Sequence, residues 1–192
     1  MRANVRRISG NWADGYVLDK HTLKSVCVGY NDYGHPVFDT TRSEIGEALY
    51  QLKYRQDQAQ VEPIASELAR RIVPNFRGIH MLVPMPASNW RPVQPVTAIA
   101  TEVGRITGIP VCYDLLTKTP NGKQLKDLTN KEDKAAALAD SFTVHEVLNP
   151  GNWNALLIDD LYHTGASVEA ACNALRSNRN VGNIFVAAVT WR

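Results

Sequence analysis

Cysteine is scarce in this chain and poorly placed for a framework. Cys27, Cys112 and Cys172 are odd in number, far apart and without a C-x-x-C pair. Neither a disulfide scaffold nor a cysteine zinc site is expected, and a reducing cytoplasm is the default compartment. The five histidines, at 21, 35, 80, 145 and 163, show no H-x-x-x-H or similar metal-ligand spacing. No apolar run reaches the ~18 residues of a membrane helix. The opening MRANVRRISGNWADGYVL is basic but lacks the apolar stretch of a secretory signal. Nor does one charge dominate: 21 Lys and Arg face 19 Asp and Glu, so no global field draws the chain to nucleic acid or a membrane. Internal repeats, a G-x-x-x-x-G-K-[ST] loop and a G-x-G-x-x-G after a strand are all missing.

What is present suits one domain with a real core at 192 residues. The first forty residues read as β-rich: GYVLD and LKSVCVGY are strand-like, and NDYGHPVF turns into a third strand. Helical spacing starts after Ser43, an N-cap with Glu47 close behind, and Ile45, Leu49 and Leu52 share a face. A second helix fits 61–72 through Val61, Ile64, Ala65, Leu68 and Ile72, ended by VPNFRG. HMLVPMPAS is a short apolar run that stops at prolines, as a buried parallel strand does. Residues 94–108 return to helical spacing and close on Gly108. IPVCYDLL is a further strand candidate, and TKTPNGKQLKDLTNKEDK reads as a polar, mobile loop. A short helix over 131–139, a small strand SFTV, a strand at 155–158, a helix over 166–177 and a strand NIFVAAVTW follow. From Met81 onward strands and helices alternate. That predicts an α/β fold, a mostly parallel sheet flanked by helices, with right-handed crossovers. The expected division is a small β-rich hood over 1–42 and a core domain over 43–192.

The most informative stretch is ALLIDDLYHTGAS, residues 155–167. Asp159 and Asp160 follow a buried strand, where ligands of open α/β sheets sit. Successive side chains point to opposite faces, so the two acids are not both solvent-facing decoration. Thr164, Gly165, Ala166 and Ser167 then open a helix, whose unpaired amides and dipole favour an anion, and Gly165 permits close approach. Acids do not hold anions; they bind hydroxyls, a divalent metal or developing positive charge. A ligand with a phosphate at one end and a vicinal diol near the other satisfies the whole stretch, and ribose 5-phosphate has that shape. Each half alone also suits a plain loop cap or helix start; together and in order they point to a sugar phosphate.

The stretch resembles the phosphoribosyl pyrophosphate (PRPP) signature of type I phosphoribosyltransferases: apolar residues, two acids, two variable residues, then Thr-Thr-Gly-x-Thr or close to it. Here it reads LLIDDLYHTGAS, with His163 where the family usually has a hydroxyl residue. A closer resemblance is to the ComF-like (amidophosphoribosyltransferase-like) branch, carried by ALYQLKYRQD, LVPMPASNWRPVQP and KQLKDLTNKEDKAAALADSFTV. That branch's usual arginine in the last segment is missing, with Asp133 near its place, as is the cysteine knuckle of many members. The resemblance covers residues 44–192 and implies the type I phosphoribosyltransferase fold.

It also implies roles. The substrate would be PRPP with Mg²⁺, the reaction transfer of the phosphoribosyl group to a nitrogen acceptor with release of pyrophosphate. Asp159 and Asp160 would hold the ribose hydroxyls and face the oxocarbenium-like charge. His163, Thr164, Gly165, Ala166 and Ser167 would bind the 5-phosphate. Met85, Pro86, Ala87 and Ser88 would form the pyrophosphate loop, helped by Arg91; the same residues also suit a Pro-x-Pro turn and an exposed helix-start arginine. Lys123, with Lys126, lies on the loop that closes over the site in this family and excludes water, although lysines in polar loops are commonly just solvated. Mg²⁺ would travel with PRPP rather than in a protein cage, with Asp159 or Asp160 open as a contact. Lys53 and Arg55 match the branch but sit on a helix face and rank lower. The hood that selects the acceptor would come from the amino-terminal strands, with Trp12, Tyr16, Tyr30 and Tyr33 available to stack on a flat base or to form the hood's own small core. Three readings stand: a cytoplasmic transferase of nucleotide metabolism, homodimeric as an option; a ComF-like protein serving DNA uptake; and a PRPP or nucleotide-binding regulator with little catalysis. Direct nucleic-acid binding and membrane association are not expected.

Overall fold

The computed structural model describes residues 1–88, 91–118 and 141–192. In chain order its elements are β1 (Arg6–Arg7), β2 (Asp14–Lys20), β3 (Thr22–Tyr30), β4 (Pro36–Arg42), α1 (Glu44–Tyr54), α2 (Val61–Arg71), β5 (Met81–Pro84), α3 (Pro95–Thr107), β6 (Leu116–Lys118), β7 (Phe142–Val144), β8 (Trp153–Tyr162), α4 (Ala166–Leu175) and β9 (Val181–Trp191). Five strands form the main sheet in the order β1-β2-β9-β8-β5. Every neighbouring pair in it is parallel except β1 with β2. The expected helix-flanked, mostly parallel sheet is therefore present.

The interior strand β8 is buried on both faces through residues 155–158, which is why its sequence there is a run rather than an alternation. Leu156 and Ile158 pack with Ile45 and Leu49 of α1, Leu68 of α2 and Ile99 of α3. Ala155 and Leu157 pack on the other face with Val168, Cys172 and Leu175 of α4. The chain leaving β5 thus crosses one face through α3, and the chain leaving β8 crosses the other through α4. The crevice between these two strand ends is a topological switch point, the usual ligand position in an open α/β sheet.

Local chemistry sets the helix ends. Ser43 caps α1: its hydroxyl accepts from the Gly46 amide at 3.0 Å and donates to the Lys20 carbonyl, tying the helix start to the end of β2. Helix α3 stops at Gly108, in the left-handed region at φ 73°. Gly46 sits so close to the β2–β3 junction that a Cβ there would lie 2.1 Å from the His21 carbonyl oxygen. No helix among the described residues is long and apolar enough to cross a membrane.

Three expectations change. Strand β8 does not stop at residue 158 but runs to Tyr162, because β9 keeps pairing with it through Tyr162↔Trp191. IPVCYDLL adds no strand to the main sheet: Val111 makes an isolated bridge to Leu82, and residues 116–118 pair with β7 instead. Pro110 has no amide hydrogen to extend a ladder. The 1–42 segment is not one unit in space either. Strand β2 pairs with β9 from Asp14↔Phe185 to Lys20↔Trp191, so a boundary at residue 42 would cut the sheet. Only the β3–β4 hairpin stands apart, with Leu23, Val28, Tyr30, Tyr33 and Phe38 each more than half exposed. The short helix expected over 131–139 lies outside the described residues.

Candidate active site

Strand β5 pairs up to Pro84↔Ile158, and the Met85 amide still donates to the Ile158 carbonyl at 2.8 Å. The chain then turns away, leaving the next residues of β8 without a neighbour on that side. A cavity of about 300 Å³ opens there, lined by Met85, Pro86, Ala87, Ser88 and Arg91 after β5, by Asp159 and Asp160 of β8, and by Ser167 of α4. A second cavity of about 170 Å³ is lined by His163, Thr164, Gly165, Ala166 and Ser167 together with Asp159. Asp159 and Ser167 belong to both.

Strand alternation separates the acids. Asp160 continues the side of Leu156 and Ile158, toward α1. There the Lys53 Nζ meets its Oδ2 at 2.8 Å, with side chains only 15% and 17% exposed. Asp159 continues the opposite side, toward the start of α4, and its carboxylate accepts the Asp160 amide at 2.8 Å. Burial and the neighbouring Asp160 charge push Asp159 up to about 7, against the pull of that amide, Lys53 and Lys118. Behind the pair, the Thr190 hydroxyl donates to the Asp160 carbonyl at 3.1 Å and contacts His21 Nδ1 at 3.2 Å. With the hydroxyl hydrogen so engaged, Nδ1 is the donor. Burial, helped by Arg192, Arg42 and Lys53, pushes His21 down to about 4, so the ring is neutral and pins the backbone of Asp160.

The turn into α4 is shaped for an anion. Gly165 adopts φ 83° and ψ −13°, directly before the helix, a conformation that other residues take only with strain. A Cβ there would also meet the Tyr162 hydroxyl at 2.9 Å. The first-turn amides of a helix have no intrahelical partner; here the Ala166 amide makes only a long 3.4 Å bond to the Thr164 hydroxyl. His163, Thr164 and Ser167 are exposed around them.

No family model matches the chain, and no curated protein sequence does. The solved adenine phosphoribosyltransferase from Leishmania tarentolae is similar in structure, with a TM-score of 0.51 at 11% identity over 98% of this chain and 95% of that one. The fold is that of the type I phosphoribosyltransferases. Further similar structures are the adenine phosphoribosyltransferase from Thermoanaerobacter pseudethanolicus, with TM-score 0.48 and 11% identity over 88% of this chain and 95% of that one, and a hypoxanthine phosphoribosyltransferase from Staphylococcus aureus. The latter has TM-score 0.41 and 11% identity; the match covers 68% of this chain and 62% of that one.

On this phosphoribosyltransferase fold, the residues expected for sugar, 5-phosphate and pyrophosphate all line the two cavities. Lys123 and Lys126 lie outside the described residues. The aromatic residues expected of a hood are elsewhere. Trp12 is buried, its indole donating to the Ile8 carbonyl at 3.2 Å and its ring edge-on to Tyr162. Tyr16 packs against Phe76, while Tyr30 and Tyr33 are exposed on the hairpin. The cavity's aromatic lining among the described residues is Tyr54 and Phe142. Two lysines complete the wall. Lys53 ranked low in sequence because a helix-face lysine is normally solvated. Lys118 was not singled out; its Nζ donates to the Ser88 hydroxyl at 2.8 Å. The signal available was alternation, since Lys118 shares a strand face with buried Leu116. Among the described residues no cluster of three or more His, Cys, Asp or Glu suits a metal. A single carboxylate, Asp159 or Asp160, both of which line the larger cavity, suits a Mg²⁺ that takes its remaining ligands from phosphates and water.

Proposed function

We propose that the chain is a phosphoribosyltransferase of the ComF-like branch, acting on PRPP with Mg²⁺ and transferring the phosphoribosyl group to a nitrogen acceptor. The observation that carries this is that the two cavities share Asp159 and Ser167 in their walls: a ligand lying across those residues would rest its ring hydroxyls on the acids and its terminal phosphate on the α4 amides. The segments that resemble the branch supply Lys53 and Tyr54, and Met85 to Ser88 with Arg91, to the same wall.

In this reading the acceptor nitrogen attacks the anomeric carbon while the bond to the pyrophosphate oxygen breaks. The electron pair leaves with pyrophosphate, and the acceptor loses its proton. Positive charge grows on the ring as the bond loosens, and Asp159 and Asp160, fixed by β9, Thr190 and His21, stand ready to stabilise it without reorganising. Mg²⁺, held by Asp159 or Asp160 and by the ligand's own oxygens, would neutralise the leaving diphosphate. Lys123, which lies outside the described residues, would take the catalytic part that the resemblance implies for it. The acceptor binds in the cytoplasm on the open side of the cavity, where Tyr54 and Phe142 offer flat surfaces.

His163 in place of a hydroxyl residue favours a second reading, a PRPP or nucleotide-binding regulator, within which a role in DNA uptake falls. Calorimetry with PRPP and Mg²⁺, followed by a pyrophosphate-release screen over bases and small amines, separates the two. Binding with release supports the transferase; binding without release against every acceptor supports the regulator. Binding of neither PRPP nor a nucleoside monophosphate would remove both.

A further inference from the structure

Three cations line the larger cavity, Lys53, Arg91 and Lys118, and the partners of the two lysines differ in kind. Lys53 is engaged by a carboxylate, Oδ2 of Asp160, at 2.8 Å in a mostly buried pair. Lys118 is engaged by a neutral hydroxyl, Ser88 Oγ, at 2.8 Å, with its Nζ 5.4 Å from the Phe142 ring centroid. Among the described residues it has no ion-pair partner. The pair at Lys53 engages Oδ2 of the carboxylate that a sugar diol would need. A buried ion pair is tolerable while intact, but removing one partner leaves an uncompensated charge, which is strongly unfavourable. Any ligand whose hydroxyls displace Lys53 from Asp160 must therefore give Lys53 an anion in return.

Building on the phosphoribosyl reading, we propose that Lys53 is a selectivity latch: it holds Asp160 in the empty site and releases it only to a sugar phosphate that carries a second anion on its anomeric carbon. PRPP supplies that anion next to the hydroxyls. Ribose 5-phosphate does not, so it leaves Lys53 stranded and binds poorly although it fits both cavities. Lys118 serves the same diphosphate from the Ser88 side. It gives up only a neutral hydroxyl bond, so it adds affinity without a penalty for ligands that lack the diphosphate. The two lysines thus play unequal parts: one discriminates, the other attracts.

The test is calorimetry of PRPP and of ribose 5-phosphate, each with Mg²⁺ and no acceptor, on the native protein, Lys53→Met and Lys118→Met. The native protein is expected to prefer PRPP by on the order of 100-fold. Lys53→Met is expected to weaken PRPP about ten-fold or more while ribose 5-phosphate tightens several-fold, since the freed Asp160 gains the diol at no loss. Lys118→Met is expected to weaken PRPP alone. If Lys53→Met does not fold, Lys53→Gln keeps a polar contact to Asp160 and is expected to show the same collapse of preference. Native protein that binds PRPP, with a Lys53 variant that weakens both ligands equally or neither, sinks the latch and leaves the phosphoribosyl reading standing. Native protein that binds neither ligand removes both.

Discussion

The backbone amide of Asp160 donates to the carboxylate of Asp159 at 2.8 Å, so the two neighbouring acids turn apart while one steadies the other. That single bond does not offset the burial of Asp159, whose carboxyl is pushed up to about 7. A folded-state value above the unfolded one favours the protonated form. The stability this represents is fully present below about pH 4 and is lost as pH rises to about 7. Asp159→Asn is therefore expected to match the native protein at pH 4 and to exceed it by on the order of 2 kcal/mol at pH 8. Thermal unfolding at both pH values checks it; an Asn variant that loses stability at pH 8 would contradict the buried, strained carboxylate described here.

Glu67 on α2 behaves oppositely. Burial works against its charge, yet bonds from Arg70, Arg71 and the amino terminus together hold it down at about 2. Its contribution is present above about pH 4.5 and is lost as pH falls toward 2. Glu67→Gln is expected to cost on the order of 2 kcal/mol at pH 7 and little near pH 2. Urea unfolding across that range reads the difference, and equal losses at both ends would rule out the charge as the cause.

Helix α1 is pressed onto the sheet at Gly46. A Cβ there would meet the His21 carbonyl oxygen at 2.1 Å, and backbone cannot swing aside as a side chain can. Gly46→Ala is expected to destabilise by about 3 kcal/mol or more, despite the better helix propensity of alanine. A lower denaturation midpoint at unchanged slope is the signature.

At the other end of the site, Gly165→Ala forces φ 83° on a residue with a Cβ that must also pass the Tyr162 hydroxyl. The expected loss is about 1–2 kcal/mol of stability. On the proposed function, PRPP affinity should fall by about ten-fold, because the amides offered to the 5-phosphate tilt with the turn. Measuring both on one preparation matters: a stability loss with unchanged affinity would place the phosphate elsewhere.

Much of the site was legible because its parts are contiguous. Acids at a strand end and a glycine before a helix lie within residues 155–167, so chain order alone sets the proposed diol and phosphate supports side by side. The helix start at Ser43 and stop at Gly108 were legible for the same local reason. Lys53 and Lys118 were not: a lysine's charge says nothing about its partner until the fold brings α1 to Asp160 and β6 to Ser88. For Trp12 and Tyr16 both a stacking surface and a small core were open, because aromatic rings suit a ligand and a core alike, and only burial distinguishes them.

By itself the sequence determined the inward faces of the periodic helices and strands, where helices such as α1 and α3 begin and end, and that a glycine turn into a helix follows two acids, since these depend on periodicity and neighbours a few bonds apart. The tertiary structure alone decided that β2 belongs beside β9, that β8 continues past its acids, and that Asp160 meets Lys53. Pairing between distant strands and ions is settled by distance through space, which chain order does not encode.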